Sequence, residues 1–376
     1  MKKIMSGNEA IARGAFEAGV KLAAAYPGTP STEILETIAQ EYKEIYAEWS
    51  PNEKVALEVA YGASMAGARA LACMKHVGVN VAADPFMTLS YVGVNGGLVL
   101  LTADDPELYS SQNEQDNRNY AKFAKVPMFE PSDSQEAKDF IKLGYEVSEK
   151  FDTPVMVRSV TRISHAKGIV ELQDPVTPPV PIEIKKDTAK YTMLPSFARV
   201  RHVFIEERFL RLKEFAEQFP GNRMEINDPT VGIISSGISY QYAKEVFPNY
   251  SYLKLGMIWP LPKNLIGEFF KKVKKVYIVE ELDPFLEENI RAMGFKPKGG
   301  KNLFPICGEL NPLLVEKGMV GKKFKPSKPF FKEPLPPRPP NLCPGCPHRG
   351  VFHVLRKLKV FASGDIGCYT LGAYPP

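Results

Sequence analysis

Three short stretches of this chain hold residues whose types and spacing could do chemistry. The first is Asn52-Glu53-Lys54-Val55-Ala56-Leu57-Glu58-Val59-Ala60-Tyr61-Gly62-Ala63-Ser64-Met65-Ala66-Gly67-Ala68-Arg69. It reads as a helix whose small residues suit close packing against another backbone, with Glu53 at its start. A carboxylate there ordinarily complements the helix dipole and nothing more; the sharper reading is a carboxylate positioned in a cofactor pocket. Glu58 lies more than a turn inside on another phase of the helix and is the weaker candidate. The second stretch is Tyr26-Pro27-Gly28-Thr29-Pro30-Ser31-Thr32. Here a strand ends, the chain turns at Pro-Gly, and the spacing predicts a helix with Thr29 as N-cap and Pro30 at N1. Free amides and a hydroxyl at such a point suit a carboxylate or a phosphate, although a cap plus a turn accounts for the residues equally well.

The third is Cys343-Pro344-Gly345-Cys346-Pro347-His348, followed by Cys368 in Gly364-Asp365-Ile366-Gly367-Cys368. A CxxC held by proline and glycine forms a tight loop whose sulfurs converge on one metal. A third cysteine 22 residues after Cys346 (368 minus 346) fits a four-ligand cluster with one ligand missing, and a zinc knuckle using His348 or His353 competes with it. A thioredoxin-like redox pair is disfavoured, because no strand precedes the motif and no helix clearly opens on it. Cys73 and Cys307 stand alone in apolar surroundings and read as packing residues.

The elements that position these groups follow from the pattern. Ser6-Gly7-Asn8-Glu9 has capping-box spacing and leads into an apolar face at helical period. Ala23-Ala24-Ala25-Tyr26 reads as a strand, and Ile34, Leu35, Ile38, Tyr42 and Ile45 form the next amphipathic face. Gly97–Leu101 and Val155–Arg158 are apolar without alternation, as buried parallel strands are. Val231–Ile234 and Lys275–Val279 repeat the logic with a helical stretch between them, so the expectation is α/β, two doubly wound domains plus the start of a third. At 376 residues, a prior of about 150 residues per domain gives two to three. The 33 prolines concentrate in two clusters that mark the joints. The expected division is 1–172, a linker at 173–199, 200–325, a proline-rich linker at 326–342, and 343–376.

Composition excludes several classes. Hydrophobic residues at 44% and charged residues at 24% argue against disorder, and a net charge of +5 is too small to imply nucleic-acid binding. No apolar run of about 18 residues is present, the first residues lack the apolar core of a signal peptide, and the cysteine pattern is not a secreted disulfide framework. A cytoplasmic protein without nucleic-acid or membrane partners is expected.

With these motifs in hand, the chain resembles the α subunits of indolepyruvate:ferredoxin oxidoreductases, within the 2-oxoacid:ferredoxin oxidoreductases. The resemblance runs through Tyr26–Ser31, Asn52–Arg69, Met74-Lys75-His76-Val77-Gly78-Val79-Asn80-Val81-Ala82-Ala83-Asp84-Pro85 and Ser110-Ser111-Gln112-Asn113-Glu114-Gln115-Asp116. It continues in Arg162–His165, Leu255-Gly256-Met257-Ile258-Trp259-Pro260-Leu261-Pro262 and the two cysteine-bearing segments of the tail. In this order they cover essentially the whole chain. The resemblance implies a pyrimidine-binding domain, a transketolase C-terminal-like domain and the start of a diphosphate-binding domain. It implies coenzyme A-dependent oxidative decarboxylation of aryl pyruvates, with thiamine diphosphate and Mg²⁺ as cofactors and electrons passed to ferredoxin. A smaller β subunit in a hetero-oligomer is implied with it.

By that similarity Glu53 is the catalytic residue that hydrogen-bonds the pyrimidine N1′, and Gly62, nine residues on, belongs to the same motif. Thr29 and Arg118 match substrate-contacting positions, with a surface salt bridge as the alternative for Arg118. His76 and Asn80 fall in a glycine-containing loop near cofactor or substrate, or serve that loop structurally. Cys343, Cys346 and Cys368 match three of four ligands of a [4Fe-4S] cluster, with zinc or a vacant site as alternatives. Two departures stand out: Gly364-Asp365-Ile366 is not the Gly-Asp-Gly motif that holds Mg²⁺ and diphosphate, and the ferredoxin-like cysteine runs of these subunits are absent. The expectation is a pyrimidine half-site, with the diphosphate half beyond Pro376 or on another chain. The isolated chain is then inactive. Pyruvate, 2-oxoglutarate or a branched 2-oxoacid is the alternative substrate, and a non-catalytic partner-binding fragment the alternative class.

Overall fold

Strands that are apolar on consecutive residues must be covered on both faces, and alternate side chains then serve two separate cores. The first half of the chain is built this way. The computed structural model describes residues 1–178, 181–184, 186–321, 336, 341–364 and 366–373. Its strands before residue 200 are β1 (Lys2–Ser6), β2 (Leu22–Ala25), β3 (Tyr46–Trp49), β4 (Ala70–Lys75), β5 (Leu98–Asp104), β6 (Met128–Phe129), β7 (Val155–Val160) and β8 (Lys167–Glu171). Those after it are β9 (Arg223–Glu225), β10 (Val231–Ser236), β11 (Ser251–Leu255), β12 (Met257–Trp259) and β13 (Lys275–Val279).

The larger sheet has the order β12-β6-β7-β5-β4-β2-β3 and is parallel except where β12 meets β6. On one face Leu71, Cys73, Val99 and Leu101 pack with helices Gly7–Glu17, Thr32–Glu41 and Ser134–Phe151. On the other, Ala70, Ala72, Met74, Leu98 and Leu100 pack with helices Glu53–Met65, His76–Val81 and Ala83–Val92. The period of two in the strands thus separates the cores, and the fold is the expected α/β. The Ser6–Glu9 capping box forms as its spacing predicts, with both reciprocal bonds present. Ile34, Leu35, Ile38, Tyr42 and Ile45 are all buried.

The smaller sheet, β13-β10-β11-β9, is parallel but for β9. Its strand β11 is followed at once by β12, which crosses to the edge of the larger sheet, so the two sheets share one run of chain. Helix Pro195–Ala216 begins inside the stretch between them and packs on the larger sheet's side. Its buried Arg208 donates to the carbonyls of Asp152 (2.7 Å) and Ser90 (2.8 Å).

Two compact units divide the chain, Met1–Lys323 and Phe324–Pro376. Both sheets belong to the first. Most of the second proline cluster lies outside the described residues, as do Pro179 and Val180 of the first. In the second unit, helix Pro347–Leu358 is followed by a 3₁₀ turn at Cys368–Ala373.

The crossing of helices Gly7–Glu17 and Ser134–Phe151 depends on Gly14, where an added Cβ would sit 2.5 Å from the Lys138 carbonyl oxygen. Backbone cannot yield there as a side-chain tip can, so Gly14→Ala is expected to cost about 1–3 kcal/mol by overpacking. Gly62→Ala, where nothing lies within 4 Å of the new methyl, is expected to be neutral or to stabilise by up to about 1 kcal/mol. Urea denaturation of the two variants checks the contrast, and equal stabilities would contradict this packing.

Candidate functional site

In an open parallel sheet, ligands bind beyond the carboxyl ends of the strands, at the point where successive connections leave in opposite directions. Here that point lies between β2 and β4. The helix after β2 covers one face on the way to β3, and the helices after β4 cover the other face on the way to β5. The crevice between them gathers the turn after β2, the helix after β3 and the end of β4.

The turn after β2 closes on Gly28. The Ser31 amide and hydroxyl both donate to the Gly28 carbonyl at 2.9 Å, and the Gly28 amide donates to Thr32 Oγ1 at 2.9 Å. The peptide between Thr29 and Pro30 is cis. The helix therefore begins at Thr32 with Ser31 in the N-cap position, two residues later than the Thr29 N-cap that the sequence predicts. Asn8, in the neighbouring helix, takes up the Pro30 carbonyl at 2.7 Å and Glu33 Oε2 at 2.9 Å, which fixes the turn from below. Thr29 itself is exposed.

Glu53 is the first residue of helix Glu53–Met65, and Asn52 caps that helix by accepting from the Val55 amide at 3.0 Å. The Glu53 side chain is only 8% exposed and lies flat on Gly78, where an added Cβ would sit 2.6–2.9 Å from its Cγ, Oε1 and Cδ. Among the described residues, no other residue donates a hydrogen bond to this carboxylate. Burial pushes its pKa above the usual carboxylate value, opposed by its own backbone amide and by the charge of Lys75. Glu58 is exposed, as its helical phase predicts.

Lys75 ends β4 and is also 8% exposed. Its methylenes pass over Gly28, where an added Cβ would meet Cδ at 3.0 Å and Cγ at 3.1 Å. Its ammonium donates to the Ser110 carbonyl at 2.8 Å. Burial pushes its pKa down, against the charges of Asp105 and Glu53. Lys75 is a candidate functional residue that motif reasoning passes over. Its signal was a lysine closing an otherwise apolar strand, Ala70-Leu71-Ala72-Cys73-Met74.

The segment 105–117 spans from β5 to the smaller sheet's side of the unit. Asp105 accepts from the Ser110 amide (2.8 Å), the Ser111 hydroxyl (2.6 Å) and Thr161 (2.8 Å). Burial raises its pKa, but these bonds prevail and hold it below the usual range. His76 is fully buried, and its Nε2 donates to the Asn113 carbonyl at 2.9 Å. It opens the helix His76–Val81, so the glycine-containing segment predicted as a loop is helical. Asn80 is exposed at the far end of that helix and accepts from the Tyr120 hydroxyl at 2.5 Å.

Arg118 is not in a surface salt bridge. It is 1% exposed, and all three guanidinium nitrogens are engaged. They meet Asp116, Glu280 Oε2 (2.8 Å) and the carbonyls of Glu281 (2.8 Å) and Asp283 (3.0 Å). Glu280 and Glu281 are each pushed up to about 7 by burial, against the charges of Arg118 and Arg158 respectively. The structure thus brings Glu53, Lys75 and the Gly28-Thr29 turn together, sets His76 beside them with its ring bonded to Asn113, and commits Arg118 to joining the two sheets.

In the second unit, Gly345 takes a left-handed φ of 76° and the Cys346 amide donates to the Cys343 carbonyl at 3.1 Å, which makes the CxxC a tight turn. A helix does open on it: Cys346 is the N-cap residue of Pro347–Leu358, with Pro347 preset for N1. Cys346 Sγ lies 3.3 Å from His348 Nδ1, and Cys343 and Cys368 are exposed. Among the described residues no three His, Cys, Asp or Glu side chains converge as a metal site. Asp365 lies outside the described residues. In the first unit Cys73 is buried as expected, but Cys307 is exposed, on a segment that lies against residues 114–116.

Residues 13–203 match the pyruvate flavodoxin/ferredoxin oxidoreductase family in its thiamine diphosphate-binding domain. The whole chain is 46% identical to indolepyruvate oxidoreductase subunit IorA of Archaeoglobus fulgidus and spans 65% of that protein's length. Against 2-oxoglutarate synthase subunit KorA of Methanocaldococcus jannaschii the identity is 29%, over 46% of this chain and 49% of that one. A solved 2-oxoglutarate:ferredoxin oxidoreductase from Magnetococcus marinus, with 2-oxoglutarate, coenzyme A and succinyl-CoA bound, shares the fold. Its TM-score is 0.68 and its identity 17%, over 85% of this chain and 65% of that one.

The electrostatics of Glu53 make a prediction free of any assay. A carboxyl whose pKa is raised on folding binds its proton more tightly in the folded state, so stability falls as pH rises from the usual carboxylate value through the raised one. Glu53→Gln removes that loss. It is expected to be at least as stable as wild type at neutral pH, with the difference shrinking toward pH 4, as read by thermal melts across pH. A Glu53→Gln variant that is less stable than wild type at pH 7 and equal to it at pH 4 would contradict the sign.

Proposed function

The chain belongs to the pyruvate flavodoxin/ferredoxin oxidoreductase family through its thiamine diphosphate-binding domain, and from that premise we propose that it seats the pyrimidine half of thiamine diphosphate. The enzyme would be a 2-oxoacid:ferredoxin oxidoreductase that oxidatively decarboxylates aryl pyruvates, with coenzyme A taking the acyl group. The observation that carries the reading is Glu53: a buried carboxylate, seated on Gly78, with no donor from another residue among those described. Such a group, with its pKa raised by burial, fits a ligand that presents a ring nitrogen to share its proton, as N1′ of an aminopyrimidine does. Thiamine diphosphate supplies, when bound, the electron sink that decarboxylation needs.

This chain's residues supply seating and proton control. Glu53 holds a proton at N1′, and burial, which raises its pKa, favours the sharing of that proton. Thr29, exposed above Gly28, faces the substrate side of the crevice in this reading, and His76 and Asn80 line the cofactor side. Arg118 serves the substrate site through the 105–117 segment that it anchors. Mg²⁺ and the diphosphate are held by hard oxygen ligands mostly outside this chain. Identity of 46% across the whole chain to an indolepyruvate oxidoreductase subunit, against 29% over 46% of it to a 2-oxoglutarate synthase subunit, favours an aryl substrate. A smaller β subunit, ferredoxin and a cytoplasmic setting complete the proposal. No helix among the described residues is long and apolar enough to cross a membrane.

The test is turnover of indolepyruvate by the chain with its β subunit, coenzyme A and an artificial electron acceptor. Glu53→Gln is expected to lower kcat by about 10²–10⁴-fold while the fold is kept; near-wild-type turnover would remove Glu53 from the chemistry. In the second unit, Cys343, Cys346 and Cys368 are proposed as [4Fe-4S] ligands. The 3.3 Å approach of Cys346 Sγ to His348 Nδ1 favours zinc as a second reading. Iron, sulfide and zinc analysis of the anaerobically purified complex separates them. A Cys343→Ala/Cys346→Ala variant is expected to lose the bound metal, and unchanged content would make the cysteines structural.

A further inference from the structure

Three lysines are buried among the described residues, and two of them are ion-paired. Lys138 meets Glu17 at 3.1 Å, and Lys254 meets Glu136 at 2.5 Å. Lys75 is the exception: its ammonium has the Ser110 carbonyl as hydrogen-bond partner, and among the described residues no carboxylate lies within 4.0 Å. A buried cation without a counter-ion is costly, and the cost is recovered when an anion arrives. A group left in that state in a cleft is a candidate for a functional site.

We infer that Lys75 binds the carboxylate of the 2-oxoacid substrate, an inference that rests on the function proposed above. Position supports it first. Lys75 ends β4 at the crevice between β2 and β4, with its stem laid over Gly28, the residue before Thr29. Charge supports it second. The crevice presents a carboxylate, Glu53, and an ammonium, Lys75, that feel each other's charge but form no direct ion pair, so it is complementary to a pair of ligand groups. A ring nitrogen that can share a proton belongs at Glu53 and an anion at Lys75. An aryl pyruvate carries one carboxylate, beside the carbon that reacts, whereas the cofactor's diphosphate hangs from the thiazolium at the end remote from N1′.

The other charged groups around Lys75 are accounted for. Asp105 is bonded to Ser110, Ser111 and Thr161, and the buried Arg118 and Arg158 are held by Asp116, Glu280, Asp104 and Glu130. Among the described residues Arg158 Nη2 lacks a hydrogen-bond partner, but Arg158 is already paired with two carboxylates, whereas Lys75 is paired with none.

The experiment uses the thiamine diphosphate-loaded complex of the full chain with its β subunit, as wild type, Lys75→Met and Lys75→Arg. It reads kcat and KM for indolepyruvate, and calorimetric affinities for indole-3-lactate, an unreactive carboxylate, for the uncharged indole-3-ethanol and for thiamine diphosphate. Loss of one charge-assisted hydrogen bond predicts that Lys75→Met raises KM and weakens indole-3-lactate by about tenfold or more. Indole-3-ethanol and thiamine diphosphate should stay within about twofold, a margin well under the tenfold of 1.4 kcal/mol, and Lys75→Arg should recover part of the loss. Unchanged KM and indole-3-lactate affinity in Lys75→Met overturns the inference. So does equal weakening of indole-3-lactate and indole-3-ethanol, which a purely structural lysine holding Ser110 would give. Loss of thiamine diphosphate affinity alone overturns it in favour of a phosphate contact. If wild type turns over no aryl pyruvate, the proposed function falls, and the lactate arm still decides whether Lys75 receives a carboxylate.

Discussion

Two opposite charges, Glu53 and Lys75, are buried in one crevice without forming an ion pair, and the structure around them is arranged to keep that state. Each is seated on a glycine: Glu53 on Gly78, and Lys75 on Gly28. A methyl at either position would push the side chain off its seat. The pKa values move toward each other accordingly, the carboxyl upward and the ammonium downward, with burial the largest cause in both. Folding energy is forfeited at this point, which is why larger and better-paired contacts are needed elsewhere.

Those contacts lie at the seam between the two sheets. Arg118 and Arg158 are buried and bonded to Asp116, Glu280, Asp104 and Glu130, and Glu130 accepts from Ser236 of the smaller sheet at 2.5 Å. The 105–117 segment runs from this seam to the crevice. Glu107, at a left-handed φ of 71°, accepts from the Glu309 amide at 2.9 Å, and Tyr109 donates to the Glu309 side chain at 3.0 Å. At its other end Ser110 and Asn113 offer carbonyls to Lys75 and His76. Charged side chains in the seam thus hold a segment whose backbone orders the site.

Much of this was legible in the sequence because it follows local rules. The capping box at Ser6, the helix start at Glu53 after Asn52, the apolar strands and the α/β alternation are all set by nearest neighbours and periodicity. The later helix start after Thr29 was not, because the turn is held by Asn8 from another helix. Burial of Arg118 depends on Glu280, 162 residues away (280 minus 118), and no local pattern reports such a partner. The exposure of Cys307 is equally a matter of tertiary position, whereas the helix opening on Cys346 has a local cause, Pro347 at N1. Lys75 could have been found by asking how a lysine that ends a wholly apolar parallel strand is solvated.

The central claim is that Glu53 receives the pyrimidine of thiamine diphosphate in this crevice. A crystal structure of the chain with its β subunit and thiamine diphosphate tests it most directly. The account predicts a Glu53 carboxylate oxygen about 2.6–3.0 Å from N1′, with Gly78 still beneath the side chain. A pyrimidine bound elsewhere, or a Glu53 carboxylate turned away from it, would contradict the account.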